Sequence, residues 1–442
     1  MQANDVLQSL SRYQLVDGYP LVVDLEKSQG SWIHDAATGE KYLDAFTCFA
    51  SWPIGFNHPG MKDPAFEAVL MRAAQSNVAN ADLYTSEMAD FVRTFATHTT
   101  PDGFPHHFWV AGGGLAVENA MKTAFDWKAR RLGRTDYLAD CNDLTIVHFN
   151  QAFHGRTGYT MSCTNTLPDK VGLFPRFPWP RIHNPVCRFD TDGNICNDIE
   201  AEEAKAREQL DQAFAESADR IAGILIEPMQ GEGGDNHFRP EFLATLRRYA
   251  DEHDCLLLFD EVQTGFYGSG KPWFWQHLGT APDVVAFGKK SQVCGIYAGG
   301  KVDEVEQNVF KVSSRINSTW GGNLVDMVRS RRFIEIIIED GLAEHAEMLG
   351  ERLMNGLRSI ARDTGAFDNV RGKGTLVACT FPSPEHRTAA IMAMFDRKAM
   401  SLPCGTDSMR FRLPLTMSFD ELDELLNRTA DSIRSAHAAT LP

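Results

Sequence analysis

Three short segments of the sequence carry residue types that could do chemistry together. In the first, the apolar run 107–110 leads through Gly112, Gly113 and Gly114 into a helical pattern that begins at Leu115. A glycine turn that opens a helix presents free backbone N–H groups to an anion and lets a phosphate approach closely. A tight turn without a ligand has the same pattern. The spacing fits neither the dinucleotide nor the P-loop fingerprint, because no acidic residue follows at ribose distance and no Gly-Lys-Ser/Thr appears.

The second segment is the apolar run 255–259, which ends in the two acids Asp260 and Glu261. In an open α/β sheet, ligands bind outside the carboxyl ends of the strands, and a carboxylate there can contact them. The alternative interpretation of such a pair is a helix N-cap beside a surface acid. The third segment decides between these interpretations.

That third segment places Lys289 and Lys290 directly after another apolar run, 284–287. A lysine that is partly withdrawn from water has a lowered pKa and becomes an amine nucleophile toward aldehydes. The spacing alone leaves Lys290 as a rival of Lys289. Together the segments supply a phosphate cradle, a carboxylate for a pyridine nitrogen and an amine that can form an imine. Pyridoxal 5'-phosphate (PLP) chemistry requires these three groups, so the sequence predicts a PLP enzyme.

The elements that position these residues follow an alternating pattern. Short runs rich in strand-forming residues recur at 144–149, 221–226, 255–259 and 284–287, and amphipathic stretches separate several of them. One such stretch, 116–131, repeats apolar residues every four positions and predicts a helix. The alternation predicts an α/β fold with a mostly parallel central sheet.

The pattern changes after about Met327. A long helical run continues through Ile360, and a strand-like segment 374–381, a helix, the segment 409–415 and a last helix follow. That helix opens with a capping box between Ser418 and Glu421. We expect an N-terminal segment (1–60) that contributes to a small domain, a large PLP-binding domain (61–326) and a C-terminal small α+β domain (327–442).

Composition narrows the functional class. The formal charge of -16, without a local basic patch, argues against partners such as nucleic acid or a membrane surface and favours a small molecule. The first ten residues lack the features of a signal peptide, which predicts a cytoplasmic protein. No apolar run approaches the roughly 20 residues that span a bilayer. The nine cysteines are scattered, so we expect reduced thiols and no metal site.

From Leu15 to the C-terminal helix, the chain resembles the class III aminotransferases of PLP fold type I, and most closely those that act on the ε-amino group of L-lysine. The resemblance is carried by the segments 113–120, 152–156, 227–234, 259–265, 287–295 and 317–323. The family's imine lysine is the first of its lysine pair, which implies Lys289 rather than Lys290. Lys289 and Asp260 are then the implied catalytic residues.

The resemblance also implies how the cofactor is held. Gly113 and Gly114 would bind its phosphate, together with Thr319 from the second subunit of a homodimer with shared active sites. Phe153 would stack on one face of the ring, and Val262 would pack on the other. In addition, Gln263 would donate a hydrogen bond to the phenolic oxygen and lie near the substrate.

For the substrates, the resemblance implies that Arg156 binds the α-carboxylate and that Arg410 binds a carboxylate of 2-oxoglutarate. Glu232 would pair with Arg410 while lysine reacts and would swing away for the keto acid. The residues alone also allow a solvated loop acid at position 232. The family usually has Pro-Pro where this chain has Leu413-Pro414, which could shift the backbone that carries Arg410.

The implied reaction transfers the ε-amino group of L-lysine to 2-oxoglutarate, giving 2-aminoadipate 6-semialdehyde and L-glutamate. Three alternatives use the same cofactor residues: transfer from ornithine, from 4-aminobutyrate or from a diamine. A PLP racemase or mutase of the same fold would need no keto acid. A non-enzymatic binding protein has no need of both an imine lysine and a carboxylate for the ring nitrogen.

Overall fold

The computed structural model describes residues 2–138 and 140–440. The helices are α1 (Val6–Ser11), α2 (Thr47–Ala50), α3 (Pro64–Gln75), α4 (Ser86–His98), α5 (Gly113–Arg131), α6 (Gly158–Cys163), α7 (Ile199–Ser217), α8 (Pro240–Glu252), α9 (Leu324–Glu339), α10 (Leu342–Thr364), α11 (Pro384–Asp396) and α12 (Phe419–Thr440). The strands are β1 (Trp32–His34), β2 (Lys41–Asp44), β3 (His106–Val110), β4 (Thr145–Phe149), β5 (Arg181–Ile182), β6 (Ile221–Ile226), β7 (Met229–Gln230), β8 (Asn236–His237), β9 (Leu256–Asp260), β10 (Val284–Phe287), β11 (Cys294–Ala298), β12 (Asp368–Lys373), β13 (Leu376–Thr380), β14 (Ala399–Met400), β15 (Leu402–Cys404) and β16 (Ser408–Arg412).

The central sheet has seven strands in the order β3-β11-β10-β9-β6-β4-β5. The neighbours from β10 to β5 run parallel, and β11 is antiparallel to both β3 and β10. The predicted α/β class with a mostly parallel sheet is therefore confirmed. Because β3, β9 and β10 point the same way, their carboxyl ends lie at one edge. This edge brings the glycine turn, Asp260 and the lysine pair together.

Burial explains why these runs form strands. Every residue of β6, β9 and β10 is buried, as expected for parallel strands covered on both faces. Helix α5 packs against β6, β9, β10 and β11, while α8 packs against β6 and β9. Because both faces of these strands are buried, their sequences are continuous apolar runs and do not alternate between apolar and polar residues.

Two smaller sheets flank the central one. The order β12-β13-β16-β15 forms a sheet against which α10 packs, and β1 and β2 join β14 in a three-stranded sheet. The N-terminal strands thus pair with a strand from the last fifty residues of the chain. The domain boundaries at residues 60 and 326 stay predictions.

The long helical run predicted through Ile360 is wrong as one continuous element. The structure divides it into α9 and α10 at Gly341, whose φ of 62° breaks the helical path. The apolar spacing continues across the break because both helices are buried on one face, so periodicity alone hides it. The capping box is confirmed: Ser418 N donates to Glu421 Oε2 over 2.9 Å, and Glu421 N donates to Ser418 Oγ over 3.2 Å.

No helix in the described ranges is long and apolar enough to cross a membrane.

Glu261 fixes the loop that follows β9. Its carboxylate is buried and accepts hydrogen bonds from Thr264 Oγ1 (2.6 Å), Phe274 N (3.0 Å) and Trp275 N (2.7 Å). Burial raises the pKa of Glu261 to about 7, against the opposing effect of these donors. The alternative interpretation of Glu261 as a surface acid is therefore wrong: this side chain is part of the core.

We expect Glu261→Ala to lower the free energy of unfolding by about 2–4 kcal/mol, because it strands two buried backbone N–H groups. Thermal unfolding of the two proteins side by side measures this loss. Glu252→Ala is the matched control, since Glu252 is exposed on α8 and surface changes stay within about 0.5 kcal/mol. Equal midpoints for both variants would contradict the assignment.

Candidate active site

The three chemical segments meet at a cavity of about 190 Å³. Its lining comes from the start of α5, the loops after β4, β6 and β7, and the chain at and just beyond the ends of β9 and β10. The lining residues are Gly113, Gly114, Phe153, His154, Gly155, Glu227, Glu232, Asp260, Val262, Gln263 and Lys289. Eight of the site residues predicted from the sequence, including Glu232, line this cavity.

The cavity distinguishes the two lysines. Lys289 lines it, and none of the described residues forms a hydrogen bond with its Nζ. Nζ of Lys290, in contrast, is buried elsewhere and donates to the carbonyl oxygens of Gln263 (2.5 Å) and Gly265 (3.1 Å). Lys290 therefore holds the loop after β9, and Lys289 is the lysine of the pair that is accessible to a ligand in the cavity.

The surroundings of Lys289 favour its neutral form. Burial, and then the positive charges of Arg410 and Arg412, lower its pKa from 10.5 to about 8. The carboxylates of Asp260 and Glu232 oppose this shift. Near physiological pH a much larger fraction of such an amine is neutral than of an ordinary lysine, and this neutral fraction can attack a carbonyl carbon or accept a proton.

Asp260 belongs to a buried group of three titratable side chains. Its Oδ2 lies 2.8 Å from Nδ1 of His154, and its Oδ1 accepts the backbone N–H of Val262 over 3.0 Å. Nε2 of His154 is buried without a partner in the described part of the chain. Because a carboxylate oxygen only accepts hydrogen bonds, Nδ1 carries a proton and donates it to Asp260. This bond orients the carboxylate toward the cavity.

Glu227 completes this group. It is buried and accepts the backbone N–H groups of Phe153 (2.9 Å) and Gly231 (3.0 Å). Burial raises its pKa to about 7, helped by the charge of Asp260 and opposed by His154. The side chain ties two cavity-lining loops together.

The glycine turn is packed too tightly for side chains. A Cβ atom at Gly113 would lie 2.7 Å from Cγ1 of Val262. Gly155, with a φ of 125°, would place a Cβ 2.8 Å from the Cα of Gly114. Since α5 begins at Gly113, the free N–H groups of its first turn face the cavity across bare backbone. This arrangement fits a phosphate group.

Gln263 is oriented by two arginines. Its Oε1 accepts hydrogen bonds from Arg410 Nη1 (2.9 Å) and from Arg412 Nη2 (2.8 Å). Two guanidinium donors require the amide oxygen at that position, so the side-chain NH₂ is left to donate into the cavity. The site can therefore offer a hydrogen-bond donor to an oxygen on a bound ring.

Glu232 pairs with Arg410, whose Nη2 donates to Oε2 over 2.7 Å. Arg410 is 1% exposed, and its charge would otherwise lie unpaired beside the cavity. The second oxygen of Glu232 contacts Nζ of Lys170. Burial acts to raise the pKa of Glu232, but Arg410 and Lys170 outweigh it and hold the pKa below its ordinary value. Glu232 is thus no solvated loop acid.

The glycines around Glu232 serve close packing. A Cβ at Gly231 would lie 2.2 Å from Oε1 of Gln263, and one at Gly233 would lie 1.9 Å from the carbonyl oxygen of Gln151. Asp235, in the same loop, forms two hydrogen bonds with Arg412. Both buried arginines of β16 therefore receive their counter-charge from one loop.

Three predicted site residues do not line the cavity: Arg410, which contacts the lining residues Glu232 and Gln263, and the pair Arg156 and Thr319. Arg156 follows the lining residue Gly155, but its side chain is exposed and makes no ion pair with the described residues. Thr319 is exposed in the loop before α9 and does not line the cavity. In the single chain, the side chains of Arg156 and Thr319 are therefore available to a substrate or to a second subunit.

Leu413 leaves Arg410 in contact with its partners. The backbone N–H of Leu413 donates to the carbonyl of Thr375 over 3.3 Å, a bond that a proline could not form. The side chain of Leu413 is buried in the small-sheet core. Because Arg410 still reaches Glu232 and Gln263, the departure from Pro-Pro does not displace it.

Sequence reasoning assigned no role to several residues that the structure places here: His154, Glu227, Asp235, Arg412 and Lys170. His154 and Glu227 lie within segments that carry the resemblance, next to residues with assigned roles. Lys170 carries no comparable signal, because its contact with Glu232 joins positions 62 residues apart. In the described part of the chain, no group of His, Cys, Asp and Glu side chains could hold a metal ion.

Comparison with known proteins identifies the family of the chain. The family model for class-III aminotransferases matches residues 13–433. The chain is 48% identical to the L-lysine-epsilon aminotransferase of Amycolatopsis lactamdurans over 436 residues, which are 98% of this chain and 96% of the relative. A solved structure of lysine aminotransferase from M. tuberculosis has a TM-score of 0.94 at 45% identity and covers 99% of this chain and 100% of that chain.

A probable mitochondrial 4-aminobutyrate aminotransferase of Caenorhabditis elegans is 31% identical over 428 residues, which cover 92% of this chain and 87% of the relative. The chain is therefore more similar to the lysine enzymes than to this 4-aminobutyrate enzyme.

We expect the reaction of Lys289 with a neutral aldehyde to rise with pH to a midpoint near 8, since the neutral amine is the nucleophile. The protein is freed of any bound cofactor, incubated with pyridine-4-carboxaldehyde and treated with borohydride, and the labelled peptides are identified by mass. Lys290 is the internal control and should stay unlabelled. A midpoint near 10.5, or labelling of Lys290 first, would show that the assignment is wrong.

Proposed function

The chain belongs to the class-III aminotransferase family, and from this premise we propose that it transfers the ε-amino group of L-lysine to 2-oxoglutarate. The products are 2-aminoadipate 6-semialdehyde and L-glutamate. The fold is that of PLP fold type I enzymes, and pyridoxal 5'-phosphate is the cofactor. When bound, this cofactor supplies an aldehyde for exchange with amines and a protonated ring that withdraws electrons from the reacting carbon.

The single observation that carries the proposal is the ion pair between Glu232 and the buried Arg410, beside Lys289. L-Lysine presents an uncharged methylene stem next to its reacting amine, whereas 2-oxoglutarate presents a carboxylate. A buried arginine that faces a methylene stem unpaired would be costly. A carboxylate that can cover and uncover Arg410 lets one cavity accept both substrates.

The remaining residues divide between the cofactor and the substrate. Asp260, oriented by His154, would keep the ring nitrogen protonated. Lys289 would hold the cofactor covalently and, once released, take the proton from Cε of lysine and return it to the cofactor. The other roles are as follows: Gly113 and Gly114 contact the phosphate, Phe153 and Val262 cover the two ring faces, Gln263 donates to the phenolic oxygen, and Arg156 binds the α-carboxylate by a bidentate contact.

A homodimer in the cytoplasm completes the proposal. Thr319 would reach the phosphate of the second subunit, and Trp320 beside it is 50% exposed. Leu83 and Tyr84 are exposed as well. They lie close to Trp320, since the backbone N–H of nearby Asn80 donates to the carbonyl oxygen of Trp320. Exposed apolar side chains that cluster in this way favour a covering partner.

We expect the purified, PLP-loaded protein to form glutamate from 2-oxoglutarate fastest with L-lysine, and slower by about tenfold or more with ornithine, 4-aminobutyrate or putrescine, since a misplaced carboxylate or methylene costs binding energy. Product identification by mass gives the site of amine removal. Faster turnover of ornithine, or loss of the α-amino group of lysine, would overturn the proposed donor. Turnover of lysine without a keto acid would instead favour a racemase or mutase.

Glu232→Gln should slow the lysine half-reaction by about tenfold or more while 2-oxoglutarate still binds, because Arg410 then faces the methylene stem uncovered. Arg410→Ala should mainly damage the keto-acid half. Single-turnover absorbance changes of the cofactor, with each substrate alone, measure the two halves. Equal, small effects on both halves in Glu232→Gln would rule out this role.

A further inference from the structure

Glu232 contacts a second cation besides Arg410. Lys170 lies in the short 3-10 turn Pro168–Lys170, and its Nζ contacts Oε1 of Glu232. Arg410 uses the other oxygen, Oε2. One carboxylate therefore joins two positive charges that come from separate elements, the turn after α6 and strand β16.

The burial of these three side chains differs. The exposed fractions are 1% for Arg410, 15% for Lys170 and 25% for Glu232. Nζ of Lys170 also lies 5.5 Å from the ring centroid of Phe153, which lines the cavity. Lys170 therefore contacts two residues that line the cavity, the acid Glu232 and the aromatic face of Phe153.

We propose that Lys170 is a positioning residue that retains Glu232 when this carboxylate leaves Arg410. The inference rests on the proposed function, in which Arg410 is covered for lysine and uncovered for 2-oxoglutarate. A carboxylate that left Arg410 without another cation would be largely buried and unpaired, which is costly. In the described ranges, Lys170 and Arg410 are the cations that form ion pairs with Glu232.

The geometry allows the exchange because each cation uses its own oxygen. The contact between Oε1 and Lys170 can persist while Oε2 turns away from Nη2 of Arg410. Without Lys170, Glu232 would still be paired with Arg410 in the covered state but would have lost both of its ion-pair partners in the uncovered state, so Lys170 stabilises the uncovered state more than the covered one. Its loss should harm the keto-acid half-reaction, whereas the loss of the Glu232 charge should harm the lysine half.

Lys170→Met in the PLP-loaded enzyme removes the charge and keeps the length of the side chain. We expect kcat/KM of the 2-oxoglutarate half-reaction to fall by about 10- to 100-fold, the range for one charged hydrogen bond, while the lysine half changes by less than about threefold. Glutarate, a dicarboxylate that cannot be aminated, should bind more weakly by a similar factor. Calorimetric titration with glutarate measures dicarboxylate binding, and hence the release of Arg410 from Glu232, without transamination.

Two further variants serve as controls. Lys170→Arg keeps the positive charge and should restore glutarate binding to within about threefold of the wild type. Lys205→Met removes a lysine that also pairs with a glutamate, Glu202, but on the exposed surface of α7. It should behave as the wild type in both half-reactions.

The double variant Glu232→Gln/Lys170→Met separates retention of Glu232 from direct contact with the substrate. If Lys170 acts through Glu232, Lys170→Met should change glutarate binding by less than about twofold in the Glu232→Gln background, since the coupled term is gone. A loss that persists in full there would mean that Lys170 binds the dicarboxylate itself, and would overturn the inference.

Equal losses in both halves of Lys170→Met, without rescue by Lys170→Arg, would also overturn it, because they would indicate a merely structural residue. A wild-type enzyme that reacts with lysine and 2-oxoglutarate while Lys170→Met matches it in both halves would overturn the inference alone. A wild type that fails to react with either substrate would overturn the proposed function, and the inference with it.

Discussion

Two buried positive charges on one strand constrain the whole site. Arg410 and Arg412 lie two residues apart on β16, so their side chains share a face, and each is 1% exposed. Neither can be left unpaired at this depth. Glu232 pairs with Arg410, and Asp235, in the same loop, pairs with Arg412. Gln263 accepts a hydrogen bond from each of the two arginines.

The two arginines also affect Lys289 and Gln263, which line the cavity. The same two arginines lower the pKa of Lys289, after burial, and so contribute to its neutral amine. They also fix the amide of Gln263 so that its NH₂ group faces a ligand. The charge that we propose for keto-acid binding therefore also affects the pKa of Lys289 and the orientation of Gln263. A change at Arg410 should not be interpreted as a loss of substrate binding alone.

Neighbouring residues with the same chemistry have separate tasks here because successive side chains leave the backbone in different directions. Asp260 meets His154 at the cavity, whereas Glu261 is bound by the loop N–H groups of Phe274 and Trp275. The lysine pair divides in the same manner between a ligand cavity and backbone carbonyls. In both pairs, one side chain holds the loop that positions the other.

The sequence by itself determined the α/β class, the strands that carry Asp260 and Lys289, and the helix behind the glycine turn. These are local properties: apolar runs, glycines and strand-to-loop changes are readable over a few residues. It did not separate Lys289 from Lys290 without the family resemblance, and it missed the break at Gly341, because periodicity does not record backbone direction. Only the tertiary structure decided which charges meet. His154 lies 106 positions from Asp260, and Lys170 lies 62 from Glu232, so their pairing depends on the packing of loops that no local pattern specifies.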